Sequence, residues 1–203
     1  MSSFADLPDR SGDRPADRGP GWSFIHEVQF YDDEAYLCGG VARFLADGVR
    51  AGQPIVVIAT ASHRKQFAAQ MRSLGVNPDH LGPSESVWLD TDQTLSAFME
   101  GPHPSAELFE ATVGSVFQRL FANRPRAVGR AYGELVDLLW RDGKSDGALE
   151  LEGLWNRLAR RYAFSLRCGY AKESFVAHPR ADGVERICHY HSRVLPSSPR
   201  SAL

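Results

Sequence analysis

The sequence predicts an α/β fold, a three-layer sandwich with a mainly parallel central sheet and helices on both faces. Three observations predict it. Strand-like and helix-like segments alternate between about Trp22 and about Pro196, at the spacing of strand–helix–strand units. PIVVIAT (54–60) is a short, continuous, β-branched run, as a strand buried on both faces would be. The segments between strands carry apolar residues at helical spacing, such as Leu37, Val41, Phe44, Leu45 and Val49.

In chain order, FIHEVQFY (24–31) is a strand with apolar residues at alternate positions, and residues 33–52 form a helix stopped by Gly52. PIVVIAT follows, then a helix over 61–76 with Ser62 as N-cap and Gly75 at its end. SVWLD (86–90) is a strand and residues 91–100 a short helix, with Asp90 placed to cap it. Residues 105–121 are amphipathic, with Phe109, Val113, Val116, Phe117 and Leu120 inward. AVGRAY (127–132) is a strand, and an apolar helix begins at Leu135. Residues 145–162 present Leu151, Leu154, Trp155 and Leu158 on one helical face. FSLRCGY (164–170) is a strand, and ERICHYHSRVL (185–195) adds a last strand or extended edge. Residues 1–21 are rich in Asp, Arg, Pro, Gly and Ser and read as a disordered tail; 197–203 read as a flexible one.

Composition narrows the function. Hydrophobic residues make up 43% and charged residues 24% of the 203, an ordinary globular balance that supports one domain with a real core. The formal net charge is -2 with no basic block, which argues against direct nucleic-acid binding. No apolar run is long enough for a membrane span, and no signal-peptide core opens the chain. Cys38, Cys168 and Cys188 are odd in number and widely spaced, which fits a reduced, cytoplasmic setting.

In a sheet of this kind ligands bind at the carboxyl ends of the strands. That rule nominates Phe30, Tyr31 and Asp32; Ala59 and Thr60; Leu89 and Asp90; Tyr132, Gly133 and Glu134; and Cys168, Gly169 and Tyr170. Glu134 stands where a nucleotide hydrolase would keep a catalytic or metal-binding acid, but the phosphate-binding loop G-x-x-x-x-G-K-[ST] is missing after the first strand. There the chain reads QFYDDEAYLCGG, and Gly39 and Gly40 fall inside the helix, where they would permit close packing. Glu134 is therefore a relic of a Walker-B-like acid, a ligand contact, or a helix-start acid favoured by the macrodipole, and Asp32 and Asp33 could cap the first helix.

His189 and His191 would point the same way on a strand and are the metal candidates, but zinc needs three or four ligands. His26 and Cys168 could complete a site only through tertiary structure, so no metal and no other cofactor is expected. A Cys168–His26 nucleophilic pair has no motif behind it, and no G-x-S-x-G occurs.

Several strings together resemble the MEDS domain, a methanogen/methylotroph sensory domain. They are HEVQFYDDEAYLCGGVARFLADGVRAGQPIVVIATASHRKQF, GVNPDHLG, LDTDQTLSAFM, RAYGELVDLLWRDG, ALELEGLWNRLARRYAFSLRCGY and ICHYHSRVLP, in that order over about 22–196. The resemblance implies a RecA/KaiC-like fold without a phosphate loop, no catalysis, and a sensory role, in some relatives toward small organic compounds. The matching positions are His26, Phe30, Tyr31, Arg64, Asp90, Arg130, Tyr132, Gly133, Glu134, Trp155 and His191. The expected ligand set is His26, Tyr31, Thr60, Arg64, Asp90, Arg130, Tyr132 and Glu134, with Arg64 and Arg130 holding a carboxylate or phosphate. The chain has no room for an attached output domain, so the signal is expected to pass to a protein partner of a histidine-kinase, regulator or anti-sigma system. Two alternatives stay open: a degenerate nucleotide-binding enzyme and a purely protein-binding adaptor.

Overall fold

A computed structural model describes residues 24–124 and 127–197. The tails expected at 1–21 and 197–203 lie outside the described residues, apart from Ser197. The chain runs through β1 (His26–Tyr31), α1 (Glu34–Arg50), β2 (Ile55–Ala59), α2 (Ala61–Ser73), β3 (Ser86–Asp90) and α3 (Thr91–Ser96). A small ribbon follows, β4 (Met99–Glu100) with β5 (His103–Pro104), then α4 (Ala106–Phe109) and α5 (Ser115–Phe121), joined through a π turn at Glu110–Gly114. The second half holds β6 (Gly129–Gly133), α6 (Leu135–Arg141), α7 (Ser145–Leu158), β7 (Phe164–Ala171), α8 (Lys172–Ala177), α9 (Gly183–Tyr190) and β8 (Arg193–Leu195).

The main sheet has six strands in the order β3-β2-β6-β7-β1-β8, and all its pairings are parallel. β2 is bonded on both sides and buried throughout, as its unbroken apolar run requires. Successive strand residues face opposite sides. Val57 and Tyr132 pack under α1 and α2, against Leu37, Val41, Phe67 and Met71. Val56, Ala131 and Leu166 face the other way, against Phe117, Leu135, Leu151 and Trp155. The result is a three-layer α/β sandwich. β1 and β2 lead into α1 and α2 on one face, whereas β6 and β7 lead into α6 and α8 on the other. Since β1 lies beside β7 and β2 beside β6, the outgoing connections part at both junctions and leave a crevice at the carboxyl ends.

Three local expectations are corrected. ERICHYHSRVL is helical to Tyr190, and only Arg193–Leu195 pair with β1. Val184, Ile187, Cys188 and His191 are spaced for one helix face, and Val184, Ile187 and Cys188 pack against the core. The helix expected over 91–100 ends at Ser96, because Gly101 takes a positive φ of 66° and turns β4 into β5. The N-cap of α2 is Thr60, not Ser62; its side chain accepts from the His63 N–H. Asp33 and Asp90 do cap α1 and α3.

The glycine that α1 needs is also not the expected one. A Cβ on Gly40 would meet nothing nearer than 3.8 Å, and one on Gly39 nothing nearer than 3.4 Å. A Cβ on Gly48 would lie 2.8 Å from Cδ of Arg130. Arg130 is held there by Gln53 Oε1 (2.8 Å), the Phe44 carbonyl (2.5 Å) and the Phe44 ring. Gly40→Ala should therefore stabilise by about 0.5–1 kcal/mol through helix propensity. Gly48→Ala should destabilise by about 1–3 kcal/mol despite the same gain. Urea unfolding of the two variants checks this, and equal shifts would refute the packing argument.

Candidate functional site

The crevice at the carboxyl ends is a cleft of about 320 Å³. Its walls come from four neighbouring strands: Tyr31 ends β1, Thr60 follows β2, Glu134 follows β6 and Ala171 ends β7. Asp137 and Arg141 of α6, and Ser62 and His63 of α2, line its sides.

Glu134 is its centre. The residue is buried, although it caps α6 without using its side chain on that helix. Its carboxylate instead bridges to β2 and α2. Oε1 accepts from the Thr60 N–H at 2.6 Å; Oε2 faces His63 Nδ1 at 2.5 Å and accepts from the Tyr132 hydroxyl at 3.1 Å. The sequence delivers each partner. Thr60 caps α2, which puts His63 at its third position, where a side chain reaches back toward the cap. Tyr132 and Glu134 are two residues apart and share a strand face. Gly169 makes room, since a Cβ there would lie 2.6 Å from the Tyr132 hydroxyl.

These contacts move the neighbouring ionisations. Burial alone would push the His63 imidazolium down, but the hydrogen bond and charge of Glu134, helped by Glu34 and Asp137, raise it above its ordinary value. Burial, with the charge of Glu134, raises the Tyr132 hydroxyl well above its usual range, so it stays a donor. Asp137 is pushed up to about 6, chiefly by burial and also by Glu134, against hydrogen bonds from Ser174 (2.7 Å) and the Ala171 N–H (3.0 Å). Five acids line the cleft, Asp32, Glu34, Glu134, Asp137 and Glu173, against Arg141 and His63. An acidic lining favours a neutral or cationic occupant over an anion.

Of the residues nominated from sequence, Tyr31, Asp32, Thr60 and Glu134 line this cleft, and Tyr132 supports Glu134 from beneath. The others lie elsewhere. Arg64 is one helix position past His63 and points to the β2–β3 end, where it donates to the Ala59 and Leu89 carbonyls and to Asp90 at 2.9 Å. Asp90 is thus a cap and an ion-pair partner. Arg130 sits opposite Ile55, near the amino end of the sheet, and its guanidinium packs on Phe44. Neither arginine is placed to hold an anion in the cleft. His26 begins β1 and lies with Glu152, Cys168 and His191 in a separate buried cluster, which His189 does not join. Phe30 and Trp155 are core residues.

The sequence matches, over residues 25–192, the family described as MEthanogen/methylotroph, DcmR Sensory domain (MEDS). The chain belongs to the MEDS family. No curated protein matches it. The match spans every strand of the main sheet except β8, and with it the whole cleft. It makes this chain a member of a sensory-domain family. Among the described residues, no helix is long and apolar enough to cross a membrane.

Two titrations in the MEDS cleft have defined signs. His63 is raised in the folded state, so the stability it lends is fully present below its unfolded value, about 6.5. It is lost as pH rises through the higher folded value. The thermal midpoint should fall more steeply above neutral pH in the natural chain than in His63→Gln. Asp137 is also raised, from 3.8 to about 6, so the folded state loses stability as pH climbs through that window. Asp137→Asn keeps an acceptor for Ser174 and Ala171 and removes the buried charge. It should stabilise at pH 7 by on the order of 1–3 kcal/mol and change little at pH 4. Denaturant midpoints at the two pH values measure this, and a loss of stability at pH 7 would contradict it.

Proposed function

We propose that this MEDS domain is a non-catalytic sensor that binds a small neutral or cationic organic molecule in the acidic cleft. It relays occupancy to a protein partner of a signalling system, of histidine-kinase, regulator or anti-sigma type. The observation that carries the reading is the buried Glu134–His63–Tyr132 network open to a cleft between four strand ends. A hydrogen-bonded carboxylate beside an imidazole offers an acceptor and a donor to a hydroxyl or amine, and the Tyr31 ring, Leu138 and Ala171 offer apolar surface to the rest of a small organic molecule. Membership of a sensory family supports the same role.

Phosphate chemistry fits these residues poorly. The amino end of α1, where a phosphate loop would deliver an anion, is occupied by the Asp33 carboxylate on the Tyr36 N–H, with Glu34 in the first turn. At α2, the Thr60 N–H is taken by Glu134. ATP hydrolysis is therefore not part of the proposal.

The test is calorimetry and thermal shift on the full chain with small alcohols, amines and carboxylates, and with ATP. Alcohols or amines should bind the natural chain and lose at least about tenfold in affinity with Glu134→Gln, the scale of one charge-assisted hydrogen bond. Glu150→Ala, at an exposed site paired with His103, should bind as before. Binding confined to carboxylates or ATP, or unaffected by Glu134→Gln, would sink the reading.

A further inference from the structure

A second polar cluster lies on the opposite face of the sheet from the Glu134 network, and the proposed ligand cleft makes no use of it. Four chain segments build it. His26 begins β1, Cys168 lies in β7, Glu152 projects from α7, and His191 ends α9 where the chain turns toward β8. All four residues are buried, and one potential ligand atom from each lies within 4.8 Å of the others.

The imidazoles are oriented alike. Nδ1 of His26 faces two acceptors, Asn156 Oδ1 at 3.0 Å and the Tyr190 carbonyl at 3.1 Å. The Asn156 amide nitrogen donates to that same carbonyl, which fixes the flip of Asn156. Nδ1 of His26 therefore carries a proton, and Nε2 faces inward, toward Cys168 Sγ and Glu152 Oε2. His191 repeats the pattern, with Nδ1 on the Ile187 carbonyl at 2.7 Å. Its Nε2 is fully buried and makes no hydrogen bond. Each histidine thus has its outer nitrogen tied to a backbone or side-chain acceptor and its inner nitrogen turned into the cluster, the arrangement that orients metal-ligating imidazoles.

The inner atoms can gather round one small ion: all four lie within 4.8 Å of one another, and His26, Cys168 and Glu152 Oε2 are already at ligand spacing, while His191 approaches the other Glu152 oxygen. His26 Nε2 is 3.4 Å from Cys168 Sγ and 3.3 Å from Glu152 Oε2; Cys168 Sγ is 3.6 Å from Glu152 Oε2; His191 Nε2 is 3.5 Å from Glu152 Oε1. Bonds of about 2.0–2.3 Å to a tetrahedral zinc ion put its ligand atoms about 3.3–3.7 Å apart. Tyr170 donates to Glu152 Oε1 at 2.9 Å and steadies the carboxylate.

We propose that His26, Glu152, Cys168 and His191 bind one divalent cation of the zinc type. Glu152 and the Cys168 thiolate bring two negative charges and the neutral imidazoles none, so the filled site is electrically neutral in a fully desolvated place. Binding releases the Cys168 thiol proton to solvent, as thiolate coordination to a metal requires. Four protein ligands leave no open position, which makes the site structural. It staples α9 and β8, at the carboxyl end of the chain, onto β1, β7 and α7. The site does not rest on the proposed ligand cleft, and either can fail alone.

The test uses the full chain, purified under reducing conditions without chelator from zinc-supplemented cells. Elemental analysis should find about one equivalent of zinc, or of another first-row divalent ion in its place, per chain. Exchange for Co2+ should give a thiolate-to-cobalt charge-transfer band with intense tetrahedral d–d absorption. Cys168→Ser should lose the charge-transfer band, and stripping the metal should expose the α9–β8 segment to protease. Should Cys168→Ser fail to fold, the Co2+ spectrum of the natural chain decides, through the presence or absence of the thiolate band. Metal far below stoichiometry together with no cobalt spectrum would overturn the site. A charge-transfer band that persists in folded Cys168→Ser would overturn it too.

Discussion

A parallel sheet covered on both faces leaves no water for the polar side chains that its strands and inner helix faces carry. Among the described residues, four carboxylates nevertheless lie buried at or against this sheet: Glu27, Glu134, Asp137 and Glu152. An isolated buried charge is too costly to keep, so each must be met within the fold. Glu27 is met by Arg167 at 2.8 Å and Arg193 at 3.1 Å. Glu134 is met by His63, Tyr132 and the Thr60 N–H, and Asp137 by Ser174 and the Ala171 N–H. Glu152 is met by the Tyr170 hydroxyl and the Cys168 thiol, with His26 Nε2 beside it. These partners come from remote parts of the chain, so the pairings also fix how helices seat on strands.

The pairings differ in what they leave open. The Glu27–Arg167 pair is closed by the Gly40 carbonyl, and the Arg167 guanidinium packs over the Phe44 ring. It can do little beyond fixing α1 against β1 and β7. The Glu134 group lies where strand connections part to opposite faces, so solvent or a ligand can reach it. The Glu152 group lies under α7 and α9, with lone pairs in excess of donors. Topology decides these outcomes more than residue type does, since all three contain a glutamate and nitrogen bases.

Most of the fold was legible in the sequence because strand burial on both faces writes itself as continuous apolar runs. β2, β3, β6 and β7 lie within a residue or two of where those runs place them. Taken from Glu185 onward, the α9 segment carries no helical signal. Including Val184 restores a 184, 187, 188, 191 spacing that only a helix produces. The π turn at Glu110–Gly114 carries no residue signal that separates it from ordinary helix. Tyr31, Asp32, Thr60 and Glu134, nominated by the strand-end rule, line the cleft because their positions depend on topology alone. Arg64 and Arg130 lie outside the cleft, because charge does not say where a side chain points. Arg130 is four residues before Glu134 on an extended chain, roughly 13 Å away. His63 and Glu152 had usable signals: one is the third residue after a Thr cap, the other an acid on an apolar helix face beside Leu151 and Trp155.

The two polar groups are not independent in the sheet. Gly133 and Cys168 are register partners on β6 and β7, so the strand that leads to Glu134 lies against the strand that carries Cys168. On β7, Cys168 and Tyr170 face the Glu152 cluster, while Gly169 between them takes the Tyr132 hydroxyl that supports Glu134. A shift of β7 by a few tenths of an ångström would be felt on both faces, because a close-packed interior does not absorb such shifts locally. A rigid anchor behind β7 would hold the Glu134 network in register. Conversely, an occupant that moved Tyr132 would press on the Gly169 backbone and, through it, on the strand that carries Cys168. Mechanical contact between cleft and cluster therefore runs through one glycine, whose missing side chain lets the two faces meet.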